Sequence, residues 1–281
     1  MNLDNIPIKD FSRTACVLSK DESLSEALRA MKKCKSDRII LKSKTEDIAG
    51  IATKFDITMK LATERTRRTE PSSWRISGFM SYPVLTIGQN KSVRVAVEIM
   101  WKNKFSSLPI LDSDVQIFDK FSIAELLVDN KTNVLEISRT PPITLRLSDR
   151  ILHARMKIAE SNISFLPAIG DDGDFRGVIG IDEILDILTE YYETSRKTPK
   201  HLTEISYLVV GDAIKQRPPT VGAGDAVGEA ASLMLKNGYR GVVVLDNSGK
   251  PVGLITGQEL IGYLRRMGGN LIPPNSINRR V

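Results

Sequence analysis

The stretch that decides the fold is AVGEAASLM, at Ala226–Met234. Its pattern, an alanine followed four residues later by an apolar side chain, recurs three more times along the chain. The other occurrences are SLSEALRAM at Ser23–Met31, SVRVAVEIM at Ser92–Met100 and RILHARMKI at Arg150–Ile158. Residues four apart lie on one face of a helix, so each stretch is predicted to be a helix whose alanine permits close packing. The sequence therefore contains four internal repeats, which we number copies 1 to 4.

A second landmark follows each helix at a fixed distance. The position 26 residues beyond each alanine holds a hydroxyl-bearing or small residue, and a carboxylate follows three residues later. The four pairs are Thr53 and Asp56, Ser122 and Glu125, Gly180 and Glu183, and Thr256 and Glu259. Because the count holds in every copy, the sequence predicts four repeats with no gap between the two landmarks.

Two strand-like runs lie between the landmarks, and a short extended piece precedes each helix. In copy 4 the runs are GVVVLD and PVGLIT, separated by the turn formers Asp246, Asn247 and Gly249. Each copy is thus predicted to form strand, helix, strand, strand and helix within about 50 to 60 residues. One such unit has too little core to fold alone, so we expect the copies to pair.

This pattern resembles the cystathionine-β-synthase (CBS) domain, a regulatory module that occurs in tandem pairs called Bateman modules. The pieces SSLPILD at Ser106–Asp112 and GLITGQEL at Gly253–Leu260 carry the strongest similarity. The resemblance implies an α/β (α+β) fold with four CBS repeats, in a stand-alone protein of archaeal type. The repeats are expected at about residues 10–62, 78–129, 137–188 and 208–265.

The resemblance also implies a domain organisation in which consecutive copies pair. We expect a first Bateman module at residues 1–132, a second at 133–268 and a C-terminal tail at 269–281. The disc that two such modules commonly form could be built within one chain or between two chains of a homodimer, and the sequence does not choose.

Two interpretations are open for the hydroxyl and carboxylate that end each repeat. In a capping box, Thr256 accepts a free backbone N–H of the following helix while Glu259 reaches back to the threonine N–H, and no ligand is needed. Ser122 and Glu125 fit the same description. In CBS pairs that bind adenosine derivatives, the carboxylate instead accepts hydrogen bonds from the ribose hydroxyls. The hydroxyl there faces the phosphates, and the extended piece before the first helix reads the adenine.

Copy 1 matches the ligand-binding pattern most fully, because GIATKFD at Gly50–Asp56 contains each element, including the aspartate. Aspartate is also the poorer partner in a capping box, being shorter than glutamate. Lys54 either adds charge for a phosphate or is merely solvated. Glu259 replaces the usual aspartate, and its extra methylene is either absorbed or pushes the carboxylate out of reach. The resemblance thus implies seven ligand-binding residues in copies 1 and 4. They are Thr53, Lys54, Asp56, Pro219, Thr220, Thr256 and Glu259.

Copies 2 and 3 depart from the ligand-binding pattern. Copy 2 has Asp119 and Lys120 where the glycine and an apolar residue belong, and copy 3 has Gly180 where the hydroxyl belongs. Neither is expected to bind a nucleotide. The glycine-rich run from Val221 to Gly228 is predicted to be a strand-to-helix turn and not a dinucleotide-binding loop.

Composition narrows the class of protein. No apolar run approaches the roughly 18 residues of a membrane span, and no signal peptide is visible, so a cytoplasmic protein without membrane association is expected. Cys16 and Cys34 are predicted to be buried thiols, and no metal site or catalytic set can be drawn, which argues against an enzyme.

The net charge of +6 permits an acidic partner. A basic patch near Trp74 is predicted to be a solvated connection, with a nucleic-acid site as the alternative; it contains Arg65, Arg67, Arg68 and Arg75.

These features together predict a regulatory sensor of energy state or metabolites. The ligand is expected to be AMP, ADP, ATP or S-adenosylmethionine, bound in clefts between paired CBS repeats. A conformational change would then pass to an effector protein that the sequence does not identify. The alternatives are a basic CBS protein that binds nucleic acid, and a structural assembly module whose boxes only cap helices.

Overall fold

All four copies adopt the predicted order of strand, helix, strand, strand and helix in a computed structural model of the protein. The structure describes residues 2–45, 47–61, 74–111, 115–194, 207–216 and 218–267. The predicted C-terminal tail and most of the connection between Leu61 and Trp74 lie outside these residues.

Copies 1 and 2 follow a short 3-10 turn at Ile8–Phe11 and a two-residue strand, β1, at Arg13–Thr14. Copy 1 consists of β2 (Val17–Ser19), α1 (Leu24–Lys33), β3 (Arg38–Lys42), β4 (Ile48–Thr53) and α2 (Lys54–Lys60). Copy 2 consists of β5 (Ile87–Gly88), α3 (Val93–Asn103), β6 (Ser107–Leu111), β7 (Gln116–Asp119) and α4 (Lys120–Glu125).

Copies 3 and 4 repeat the arrangement, with one extra short helix, α7 (Val210–Ala213), between them. Copy 3 consists of β8 (Leu145–Arg146), α5 (Ile151–Ser161), β9 (Phe165–Ile169), β10 (Phe175–Gly180) and α6 (Ile181–Thr194). Copy 4 consists of β11 (Thr220–Gly222), α8 (Val227–Asn237), β12 (Gly241–Leu245), β13 (Pro251–Thr256) and α9 (Gly257–Met267). The glycine-rich run after Val221 is the predicted turn from strand to helix.

The helix face predicted from the alanine pattern is the face that packs into the core. All eight side chains of the pattern are fully buried, so the small residue and its apolar neighbour lie against the sheet as expected. They are Ala27, Met31, Ala96, Met100, Ala154, Ile158, Ala230 and Met234. In each copy the first strand pairs parallel with the middle strand, which pairs antiparallel with the last one.

The equal spacing predicted between the landmarks is wrong for copy 2. The middle strand begins 11 residues after the alanine in every copy, and its first residue pairs with the last residue of the final strand. Those last residues are Thr53, Asp119, Gly180 and Thr256. Copy 2 is three residues shorter between β6 and β7, so the counterpart of Thr53 is Asp119 and not Ser122.

The extended residues before the first strand of each copy, here called its leading segment, lie on the sheet of a neighbouring copy. The leading segment of copy 1 forms β1, which pairs with β7 of copy 2, and that of copy 2 forms a bridge from Ser81 to Ile51 of copy 1. Copies 3 and 4 exchange their leading segments in the same way, through the pairs Arg139 with Leu254 and Lys215 with Val178.

The chain divides into two compact units that take alternate copies. Unit 1 comprises Met1–Ala15, Leu85–Pro142 and Pro219–Val281, and therefore contains copies 2 and 4. Unit 2 comprises Cys16–Val84 and Ile143–Pro218, and contains copies 1 and 3. In unit 1, α9 packs against α3 and α4; in unit 2, α2 packs against α6. The module boundaries predicted for consecutive copies stay a prediction.

The two cysteines form a disulfide, so the prediction of buried free thiols is wrong. Cys16 precedes β2 and Cys34 ends α1, and their Cα atoms are 5.9 Å apart. The helix carries the chain back beside the strand that it follows, which brings the two residues within the usual distance of a disulfide. The crosslink joins the first two elements of copy 1.

Candidate functional site

The predicted capping box of copy 1 is present at the junction of β4 and α2. Thr53 Oγ1 accepts a hydrogen bond from the Asp56 backbone N–H at 3.1 Å. Asp56 Oδ2 accepts from the Thr53 N–H at 3.0 Å and from the Thr53 hydroxyl at 2.6 Å. Aspartate is therefore long enough to complete the box, contrary to the expectation that its shorter side chain makes it a poor partner.

The other carboxylate oxygen of copy 1 is available. Within the described part of the chain, Asp56 Oδ1 accepts no hydrogen bond, and both Asp56 and Thr53 are partly exposed. An ionised carboxylate accepts hydrogen bonds through both oxygens, so one oxygen positions the side chain while the other can receive a donor from a ligand. The cap thus holds a fixed acceptor at the end of β4.

The neighbourhood of this acceptor includes the leading segment of copy 2. Ser81 and Ile51 exchange two backbone hydrogen bonds, of 2.8 and 3.2 Å. Met80 lies directly over Gly50, where an added Cβ would come within 2.4 Å of its Sδ. A larger residue in place of Gly50 would therefore require the Met80 side chain to move.

Lys54 is committed to an ion pair. Its Nζ lies 2.6 Å from Asp182 Oδ1, at the start of α6 in the same unit. A phosphate group would have to compete with Asp182 for this ammonium group. The predicted contribution of Lys54 to phosphate binding stays a prediction, and it requires this ion pair to be broken.

Copy 4 has a similar cap, in which Thr256 Oγ1 accepts from the Gln258 N–H at 3.2 Å, but its carboxylate is fully occupied. Glu259 Oε2 accepts hydrogen bonds from the N–H and the hydroxyl of Thr256. Glu259 Oε1 accepts from the Arg139 guanidinium, with the Nε at 3.2 Å and one Nη at 3.1 Å. The side chain of Glu259 is 9% exposed. The longer glutamate thus reaches both the cap and an arginine from a distant part of the chain.

Pro219 and Thr220 lie at the same end of the sheet as this cap. Thr220 begins β11 and pairs with Val243 of β12, whereas Thr256 ends β13 and pairs with Gly241 of β12. The central strand separates the two predicted parts of the site, and both are near its first residues. The four residues predicted for copy 4 thus lie at the same end of its sheet, on both sides of the central strand.

The caps of copies 2 and 3 differ chemically from those of copies 1 and 4. In copy 3, Glu183 accepts from the Gly180 N–H at 2.9 Å, and burial raises the pKa of Glu183, although Lys215 acts to lower it. In copy 2, Asp119 accepts from the N–H groups of Phe121 and Ser122, while Ser122 Oγ accepts from the Asp119 N–H. Copy 2 therefore has the aspartate and the hydroxyl in exchanged positions.

The sequence analysis missed two features, the cap of copy 2 at Asp119 and the role of Arg139. Ser122 and Glu125 do not form the predicted box, because Glu125 lies at the exposed end of α4, six residues beyond the cap at Asp119. The repeated Lys-Phe pair after Thr53 and after Asp119 is the signal that could have identified the correct alignment. Arg139 was also missed, because its partner is 120 residues away.

The structure also bears on the other classes of site. No group of three or more metal-ligating side chains occurs within the described ranges. None of the helices described is both long enough and apolar enough to cross a membrane. Trp74 is buried against Phe79, and Arg75 donates to the Asp21 carbonyl, while the other arginines of the predicted basic patch, at positions 65, 67 and 68, lie outside the described residues.

Known proteins share this architecture along most of the chain. Over 96% of its length the chain is 24% identical to an uncharacterized 33.4 kDa protein in the ribosomal RNA operon of Thermofilum pendens, of which 94% is covered. It is 30% identical over 48% of its length to an L-aspartate semialdehyde sulfurtransferase of Methanocaldococcus jannaschii. Only 27% of that enzyme is covered, so its activity does not transfer with the similarity.

A solved structure and a family model agree with the repeat architecture. The crystal structure of protein MJ1225 from Methanocaldococcus jannaschii, proposed as an archaeal homologue of γ-AMPK, superposes with a TM-score of 0.80. The two share 16% identity, and the match covers 92% of this chain and 100% of that one. The CBS domain model matches residues 76–117, 134–190 and 210–266, more than half of the chain, and leaves copy 1 unmatched. With four copies of the same fold and three matched by the model, the chain belongs to the CBS domain family.

Proposed function

We propose that this protein is a regulatory sensor that binds an adenosine derivative at copy 1. The ligand is AMP, ADP, ATP or S-adenosylmethionine, whose shared chemistry is a ribose carrying two neighbouring hydroxyls. Binding changes the conformation of the protein, and this change passes to an effector protein or to a second copy of the chain. The protein performs no chemical step of its own in this proposal.

The observation that carries the proposal is the state of Asp56. One oxygen is held by Thr53, and the other has no hydrogen-bond donor in the part of the chain that the structure describes. A diol offers two O–H donors, and a carboxylate is an acceptor without donors of its own, so the two are complementary. Hydrogen bonds to a charged group contribute about 1.5–3 kcal/mol each, which is enough to select a ribose over a sugar without the diol.

The exchange of leading segments supports pairing of copies 1 and 2 at residues 1–132 and of copies 3 and 4 at 133–268. Ser81 is fixed to Ile51 by two backbone hydrogen bonds, two residues before the cap at Thr53. A ligand at Asp56 would therefore act on the segment that leads directly into β5 of copy 2. In this proposal the change is passed along the chain through this segment.

Isothermal titration with the four compounds tests this proposal. We expect at least one compound to bind the wild type. Asp56→Ala should lower the affinity for that compound at least about tenfold, the loss expected for one charge-assisted hydrogen bond. Glu125→Ala is the matched control, because this exposed carboxylate belongs to no cap; it should bind like the wild type. Absence of binding at millimolar concentration of all four compounds would leave the structural assembly module as the better description.

A further inference from the structure

Each copy receives one residue from a leading segment at an equivalent place, two residues before its cap. This place, here called the bridge position, is opposite Ile51, Ile117, Val178 or Leu254 on the last strand of the copy. Backbone pairing fixes its main chain at this place on the last strand, whatever its side chain. The residues at the bridge position of copies 1 to 4 are Ser81, Arg13, Lys215 and Arg139.

In copy 4 the bridge position directs a charged side chain onto the cap. The Arg139 N–H donates to the Leu254 carbonyl at 2.9 Å, and the Leu254 N–H donates back at 3.2 Å. From this anchored backbone the guanidinium donates one hydrogen bond from Nε to Glu259 Oε1, and one Nη forms an ion pair with the same oxygen. The neutral hydroxyls of a ribose are weaker donors than a guanidinium, so they cannot readily displace it.

Copies 2 and 3 also carry a basic residue at this position. The charge of Lys215 lowers the pKa of Glu183 against the larger opposing effect of burial. The guanidinium of Arg13 stacks over the ring of Phe121, 5.3 Å from its centroid, in the first turn after the Asp119 cap. In three copies the residue at the bridge position therefore places a positive side chain beside the start of the last helix.

Copy 1 is the exception among the four. Ser81 has the same backbone pairing with Ile51 as Arg139 has with Leu254, but its side chain is short and uncharged. Asp56 Oδ1 correspondingly receives no hydrogen bond from the described residues. The chemical difference between the open and the occupied carboxylate thus follows the residue at the bridge position.

We propose that the bridge position determines whether a copy can bind a ribose diol: serine leaves the carboxylate of copy 1 open, and Arg139 closes that of copy 4. This inference rests on the proposed function and adds to it the prediction of one adenosine ligand per chain. Arg139 is a specificity-determining residue in this scheme, because it fills a site that is otherwise built like copy 1.

Exchange of the two side chains tests the inference, with adenosine as the probe because it carries the diol without a phosphate. Ser81→Arg should weaken adenosine binding at least about tenfold, since the new guanidinium can pair with Asp56. Ser81→Gln is the matched control for bulk without charge and should retain binding. Arg139→Ser should raise the stoichiometry from one to two, and thermal unfolding establishes that each variant is folded.

The possible results separate the inference from the function on which it rests. Wild-type affinity in folded Ser81→Arg, or a stoichiometry of one in Arg139→Ser, overturns the inference and leaves the sensor function in place. If Arg139→Ser binds adenosine like the wild type but binds AMP more weakly, the inference is also overturned, because Arg139 would then be a phosphate ligand. Failure of the wild type and of Arg139→Ser alike to bind adenosine or AMP overturns both. Binding by Arg139→Ser alone overturns both the sensor site at copy 1 and the inference as stated, because the wild type should then have bound one ligand.

Discussion

In copies 1 and 4 a threonine ends the last strand, and a carboxylate three residues later reaches back to it. In both carboxylates one oxygen accepts hydrogen bonds from the threonine N–H and hydroxyl. The second oxygen differs: in Asp56 it is open within the described residues, and in Glu259 it is bound to Arg139. A local sequence motif therefore fixes the cap, and a distant residue fixes what else the cap can do.

The comparison explains why the motif alone is a poor guide to ligand binding in a repeat protein. A capping box needs only four consecutive residues. It forms in copy 1 and, with its two side chains exchanged, in copy 2, and copy 4 has a variant in which Thr256 accepts from the Gln258 N–H. Availability of the carboxylate depends in addition on the leading segment of another copy. Two copies with nearly the same motif can therefore differ in function without a change in either motif.

The largest expected effect concerns the disulfide, which is found in copy 1 and has no counterpart elsewhere in the sequence. Reduction should lower the free energy of unfolding by about 3 kcal/mol, the chain-entropy value for a crosslink between residues 18 apart. Urea titrations with and without a dithiol reductant measure this difference. The double variant Cys16→Ser with Cys34→Ser is the control and should be insensitive to the reductant; equal stability of oxidised and reduced wild type would contradict the prediction.

The next effect compares the two carboxylates directly in the absence of ligand. Glu259→Ala should destabilise the protein by about 2 kcal/mol, because it removes a buried cap and leaves Arg139 without its partner. Asp56→Ala should cost only about 1 kcal/mol, the contribution of the cap alone. Loss of the ion pair accounts for no more than the remaining difference of about 1 kcal/mol, because Arg139 is 38% exposed and water screens the pair. Urea midpoints of the two variants decide the order, and a larger loss for Asp56→Ala would break the comparison.

The smallest effect extends the comparison to copy 3 through pH. Burial raises the pKa of Glu183 above its ordinary value of 4.5, so the folded protein binds this proton more tightly than the unfolded chain does. Stability should therefore fall as the pH rises from 4.5 through the raised value. Glu183→Gln should remove part of this decline in urea midpoints between pH 4.5 and 7. The contribution of Asp186, whose pKa burial also raises, is present in both proteins and cancels; identical slopes would rule out a role for Glu183.

Local patterns in the sequence were sufficient for the fold of each copy. The alanine and its apolar neighbour identify the buried helix face, and the caps follow from residues three apart. The three-residue difference in copy 2 was hidden because Ser122 and Glu125 reproduce by coincidence the expected hydroxyl and carboxylate. The Cys16–Cys34 bond and the Arg139–Glu259 pair depend on how separate elements pack, which no local spacing specifies.

The alternation of copies between the two compact units has a consequence for how this chain could have diverged. Each unit takes one copy from each half of the chain, as two identical half-length chains would supply in a symmetric dimer. In such a dimer every residue occurs twice, so both halves would need the same side chain at equivalent bridge positions. Joining the halves in one polypeptide keeps the association intramolecular and removes that constraint. Ser81 and Lys215 occupy equivalent bridge positions in the two halves, and a dimer of identical half-length chains could not have one neutral and the other charged.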